Sequence, residues 1–172
     1  KLNNAAEERA VDALVDDRLS DLPEADLAAL GVAAWRDGLR RGVAAHHAGL
    51  VPAFKEVTEE LFAAGLLKIV YATETLALGV NLPARAVVID RLTKFNGQTH
   101  QVLTPGQFTQ LTGRAGRRGL DDEGHALVCW SPFVSFNRVA GLAGSRDFVL
   151  RSAFRPTYNM VANLILGRTR SE

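Results

Sequence analysis

Three places in this sequence gather residues able to grip an anion. The first is residues 104–119, Thr-Pro-Gly-Gln-Phe-Thr-Gln-Leu-Thr-Gly-Arg-Ala-Gly-Arg-Arg-Gly. Thr104 suits an N-cap, Pro105 the first helical position and Gln107 the second partner of a capping box, so a helix is predicted to start here. At 100° per residue Phe108, Leu111 and Ala115 form an apolar stripe, and Gln110, Arg114 and Arg117 a polar one on a different face. The expectation is two guanidiniums held in parallel on a rigid rod, each a fixed fork. Gly113 and Gly116 inside such a helix each cost roughly 1 kcal/mol against Ala, which points to close approach by another backbone or a ligand. A solvated basic face with small residues for packing has the same composition, and the spacing leaves both readings open.

The second place is residues 41–52. Val43 to Ala45 reads as a short buried strand, and His46-His47-Ala48-Gly49-Leu50 as a turn into a helix beginning near Pro52. Phe54, Val57, Leu61 and Ala64 form the core stripe of that helix, which Gly65 ends. Strand, glycine-bearing turn and helix N-terminus together suit an anion. The histidines also suit packing under the turn; a metal site is not predicted, because adjacent histidines chelate poorly without further ligands nearby. In the third place, Lys68-Ile69-Val70-Tyr71-Ala72 reads as a strand with Thr73 as N-cap of a single helical turn. A hydroxyl and free backbone N–H groups then stand at the carboxyl end of a strand, where ligands of open α/β sheets collect.

The remaining elements frame these sites. Residues 5–20 have helical apolar spacing at Ala10, Leu14, Val11 and Val15, a second helical piece follows Pro23 up to Gly31, and Trp35 and Leu39 mark a third. Ala86-Val87-Val88-Ile89 is apolar without alternation, as a parallel strand covered on both faces would be. Asn96-Gly97 signals a hairpin just before Thr104, with Phe95 assigned to the core in preference to a base-stacking role. His125 to Trp130 reads as a further strand, residues 134–142 and 156–166 as helices. Strands interleaved with helices predict a parallel, doubly wound α/β sheet.

Composition sets outer bounds. The chain has 172 residues, suiting one domain with an appendage, and an ordinary soluble composition with net charge +1. Residues 1–30 carry three basic against eight acidic side chains, and residues 31–172 carry 17 against 11. A mildly basic body suits a polyanion without requiring one. No apolar run is long enough to span a bilayer, and the acidic N-terminal stretch does not read as a signal peptide, so a cytoplasmic location and no membrane partner are expected. The single cysteine, Cys129, excludes an internal disulfide and is expected to be a buried structural thiol.

Gln110-Leu111-Thr112-Gly113-Arg114-Ala115-Gly116-Arg117-Arg118-Gly119 resembles motif VI of superfamily 2 helicases, in the form found in superkiller-type DExH-box RNA helicases. Thr73 to Pro83, with Gly79-Val80-Asn81, resembles motif V, and the wording of the chain is most similar to bacterial HelY-type members. The resemblance implies the second RecA-like domain: a doubly wound parallel sheet flanked by helices, with helical N-terminal and C-terminal extensions. By the resemblance, Arg117 would be the arginine finger of ATP hydrolysis and Arg114 its neighbour on the phosphate. Gln110, Gly79 and Asn81 would line the nucleotide side, and Thr73, His46, His47 and Gly49 would contact the nucleic-acid backbone. ATP and Mg²⁺ are implied as cofactors of the complete enzyme. A phosphate loop and the Asp-Glu-x-His carboxylates have no counterpart in the sequence, so the Mg²⁺ ligands are expected outside this chain.

Expected bounds are a helical N-terminal segment at 1–41, a RecA-like core at 42–145, and a linker and helix at 146–172 leading to a winged-helix domain. With no initiator Met and an apolar segment near the C-terminus, the chain reads as an excised fragment, missing the first RecA-like and winged-helix domains and inactive alone as an ATPase. RNA is the expected partner, with DNA possible, since phosphate contacts do not see the sugar. A non-catalytic nucleic-acid-binding module that kept the fold is the rival reading.

Overall fold

The computed structural model describes residues 1–73, 82–95, 98–145, 157–160 and 163. Gly79 and Asn81, the Asn96-Gly97 turn and most of the predicted helix at 156–166 lie outside the described residues.

Three helices come first: α1 (Ala5–Arg18), α2 (Glu24–Ala29) and α3 (Val32–Arg40). An Asn4/Glu7 capping box starts α1. Gly31, at φ +68°, makes the left-handed turn that lets α3 follow α2 directly. Next come β1 (Val43–His46), α4 (Pro52–Ala63) and β2 (Ile69–Ala72), a crossover that pairs β1 and β2 in parallel with Val43 opposite Ile69 and His46 opposite Ala72. Val11 and Val15 of α1, Leu39 of α3 and Phe54, Val57 and Leu61 of α4 close one core over this pair. Within it Trp35 stacks on Phe54 with ring centroids 4.2 Å apart.

The chain then enters β3 (Ala86–Ile89) and the antiparallel hairpin of β4 (Thr93–Phe95) and β5 (His100–Val102). Helix α5 (Pro105–Thr112), β6 (His125–Val128) and α6 (Phe136–Gly144) complete it. Strand β6 pairs with β3 in parallel, Ala86 opposite His125 and Ile89 opposite Val128. Ile89, Leu92, Leu103, Phe108 and Leu142 form a second core.

The fold is α/β with parallel strand pairs, but among the described residues no ladder joins the β1–β2 pair to the β3–β6 pair. Among the described residues each pair is covered on one face only. In β3, Val87 and Ile89 pack against the core while Val88 is exposed, an alternation in place of the expected burial on both faces. Cys129 is likewise exposed, not buried, as Leu127 of the adjoining strand β6 is, although its N–H still donates to Ile89 C=O at 2.9 Å. Phe95 is exposed too, its ring tilted against that of His100 across the hairpin.

Candidate nucleotide and nucleic-acid sites

The capping box at the start of α5 forms as the sequence predicts. Gln107 N–H donates to Thr104 Oγ1 at 3.3 Å and Thr104 N–H to Gln107 Oε1 at 2.9 Å. Phe108 is buried and Gln110 stands on the exposed side. The helix does not run on as a rod through Arg117. It stops at Thr112, with Gly113 as its C-cap, and the arginines are carried by the loop that follows.

Backbone pairing ends the helix. Ala84 N–H donates to Arg114 C=O at 2.8 Å and Gly116 N–H to Ala84 C=O at 2.7 Å, a parallel bridge that draws the chain out of the helical path. Gly116 then takes φ +88°, a left-handed turn that strongly favours glycine. Gly124 packs so closely that a Cβ there would collide with the Ala115 carbonyl. The close backbone approach predicted for this region is therefore present, made by Gly116 and Gly124. The same bridge seats the loop beside Ala84, the residue that follows Pro83.

The Arg117 side chain is 42% exposed, and its partner Asp121 only 7%. Nε donates to Asp121 Oδ2 and Nη2 to Oδ1, both at 2.8 Å, while the Arg117 backbone N–H donates to Oδ2 at 3.0 Å. Arg117 C=O in turn accepts from the N–H groups of Leu120 and Asp121. The hydrogen bonds from the Arg117 side chain are the largest cause that holds the Asp121 carboxyl at about 2, against its ordinary 3.8; burial opposes them. The pair lies at the surface of the loop, so the guanidinium is oriented without being buried. Arg114 is half-buried in the same loop.

A second group forms at the carboxyl end of β1 and β2. Thr73, exposed, donates its N–H to His46 C=O at 3.2 Å, so the His46–Gly49 turn and Thr73 lie side by side. His47 and Gly49 are exposed. His46 is not: its side chain is 5% exposed and its Nε2 lies 2.8 Å from Glu59 Oε1. Strand alternation explains this, since Ala44 and His46 share the inward face of β1. The imidazole packs under the turn, and the His46 carbonyl is taken by the Thr73 N–H, so the residue as a whole is buried. The structure thus draws Arg114 with Arg117 and Thr73 with His47 and Gly49 into two groups, while Gln110 stands on the exposed side of α5 ahead of the arginine loop. Sequence reasoning missed Asp121 and Glu59. An arginine followed four residues later by an aspartate was the available signal for the first; the second needed the β1–α4 packing.

The family model of the helicase conserved C-terminal domain matches residues 26–119, and the chain belongs to that family. It is 58% identical over 165 residues to a probable helicase HelY of Mycobacterium tuberculosis (strain ATCC 25618 / H37Rv), covering 96% of this chain and 18% of that protein. It is 38% identical to the antiviral helicase SKI2 of Saccharomyces cerevisiae over 168 residues, covering 94% and 13%. With the ATP-dependent RNA helicase mtr4 of Schizosaccharomyces pombe it shares 39% identity over 168 residues, covering 95% and 15%. These relatives set it among superfamily 2 helicases of the superkiller type, and it spans less than a fifth of the length of each.

Proposed function

We propose that the chain is the second RecA-like domain of an ATP-dependent RNA helicase, forming one wall of the ATP cleft and part of the track for the strand. The observation that carries this reading is the Arg117 guanidinium, exposed at 42% on a loop fixed by the Ala84 bridge and Gly116. A fork held this way can meet the negative charge that develops on a γ-phosphate delivered by a facing lobe. In this reading Arg117 is the finger, Arg114 touches the same phosphate, and Gln110, Gly79 and Asn81 belong to the nucleotide side. Thr73, His47 and Gly49 take the nucleic-acid backbone, and His46, buried beneath the turn on Glu59, supports it from below.

The exposed Arg117 fork fits a phosphate of ATP. Mg²⁺ is assigned to ligands of the first RecA-like domain, where the family pattern places the phosphate loop and the Asp-Glu-x-His carboxylates. The core of the domain is assigned to 42–145 with helical extensions on either side, completed into one doubly wound sheet in the whole protein and followed by a winged-helix domain. RNA is preferred to DNA because one relative is named an RNA helicase. Among the described residues no helix is long and apolar enough to cross a membrane, and a cytoplasmic location is part of the proposal.

Arg117→Ala in the full-length enzyme is expected to lower kcat by about 10³ or more with KM little changed. An effect on KM alone overturns the finger assignment. The 172-residue chain by itself is expected to show no ATPase activity, and turnover that purifies with it and is lost in Arg117→Ala would contradict the proposal.

A further inference from the structure

We propose that Asp121 is a positioning residue for Arg117, fixing the plane of the guanidinium so that its free edge meets the nucleotide. The inference rests on the assignment of Arg117 just given. A guanidinium has five N–H donors. The carboxylate takes Nε–H and one on Nη2, and no described group engages Nη1. The ion pair therefore uses one edge of the fork and leaves the other for an incoming oxyanion. Phosphate binding does not require the pair to break.

Asp121 is well built for this task. Its oxygens accept from both the side chain and the backbone N–H of Arg117, and the Arg117 carbonyl accepts from Leu120 and Asp121. Side chain and main chain thus close one small ring of hydrogen bonds, with Gly119 at φ +80° turning the chain inside it. Ionised at neutral pH, the carboxylate is a permanent partner. Without it the long arginine side chain would sample its rotamers, and a finger that must be aimed loses effectiveness when it wanders. With Arg117 at 42% exposure water screens the pair from one side, so its contribution to stability is modest and its main consequence is orientation.

The test is steady-state ATPase kinetics of the full-length enzyme with saturating RNA, for Arg117→Ala, Asp121→Asn, Asp121→Glu and Arg117→Ala/Asp121→Asn. Asp121→Asn is expected to lower kcat about 10- to 100-fold, the usual cost of removing a group that orients a ligand-contacting side chain, with KM for ATP within about two-fold. Asp121→Glu, which keeps the charge and protects against loss of fold, is expected to fall between wild type and Asp121→Asn. The double variant is expected to be no slower than Arg117→Ala, because the carboxylate acts only through the arginine. Wild-type kcat in both Asp121 variants, a faster enzyme in Asp121→Asn, or additive losses in the double variant would overturn the positioning role. If Arg117→Ala itself turns over normally, the finger assignment fails first.

Discussion

Residues 1–73 and 82–145 are made of the same parts, a parallel strand pair with helices against one face, and they finish differently. The first region buries ten hydrophobic residues in one cluster, Leu39 and Leu61 completely. Ion pairs tie its helices together at Arg18–Glu60 and Arg36–Asp12, and Lys68 reaches Glu7. Among its described residues the second region gathers five in its cluster and leaves Trp130 85% and Phe133 91% exposed, along a groove of about 850 Å³ beside α6. Its arginine loop is held by backbone contacts at Ala84, Gly116 and Gly124 and not by a wide apolar core. The first region is a packed platform; the second spends its order on placing one side chain.

That contrast can be broken by mutation. Leu61→Ala in the first region should cost about 2–5 kcal/mol, the range for deleting a buried leucine in a core that cannot collapse around the cavity. A urea midpoint that hardly moves would mean the platform is loosely packed. Gly124→Ala should cost less, about 1–3 kcal/mol from overpacking, and should disturb turnover more than stability because the displaced backbone is that of Ala115 and Gly116. Full turnover with Gly124→Ala would show that the glycine lock does not aim the arginine. Phe133→Ser should change stability by no more than about 0.5 kcal/mol, as exposed positions do; a larger loss would mean that the aromatic face is packed in solution.

Local chemistry was legible in the sequence where it acts within a few residues. The Thr104/Gln107 box, Pro52 at the first turn of α4, the Phe54, Val57 and Leu61 stripe of α4 and the four residues of β3 fall where spacing puts them, while Ala64, the last of the predicted stripe, is the exposed C-cap of α4. The end of α5 was not legible. The apolar period runs on through Ala115, and what overrides it is a partner thirty residues away, Ala84, together with a left-handed glycine whose sign of φ no periodicity encodes. His46 was half legible, since packing under the turn was one of the readings left open, and Glu59 decided it. Exposure was hardest to read: Val88, Phe95 and Cys129 are residue types that usually go inside, and burial depends on a second covering layer that the period does not report.

The smallest expected effect separates the two regions by pH. Asp121 has a folded value of about 2 against an ordinary 3.8, a lowered carboxylate. Its stabilising contribution is therefore complete above the unfolded value and is lost as the pH falls through the folded one. The difference in urea midpoint between wild type and Asp121→Asn should be constant from neutral pH to about 5 and close as the pH drops from about 4 toward 2. A gap that stays level across that window would mean the carboxylate is not paired with Arg117. Glu7 and Glu60 in the first region are lowered as well, by Lys68 and Arg18, and weaken the platform in the same direction. Because both proteins carry those glutamates, their effect cancels in the difference, and what remains reports on the Arg117 loop alone.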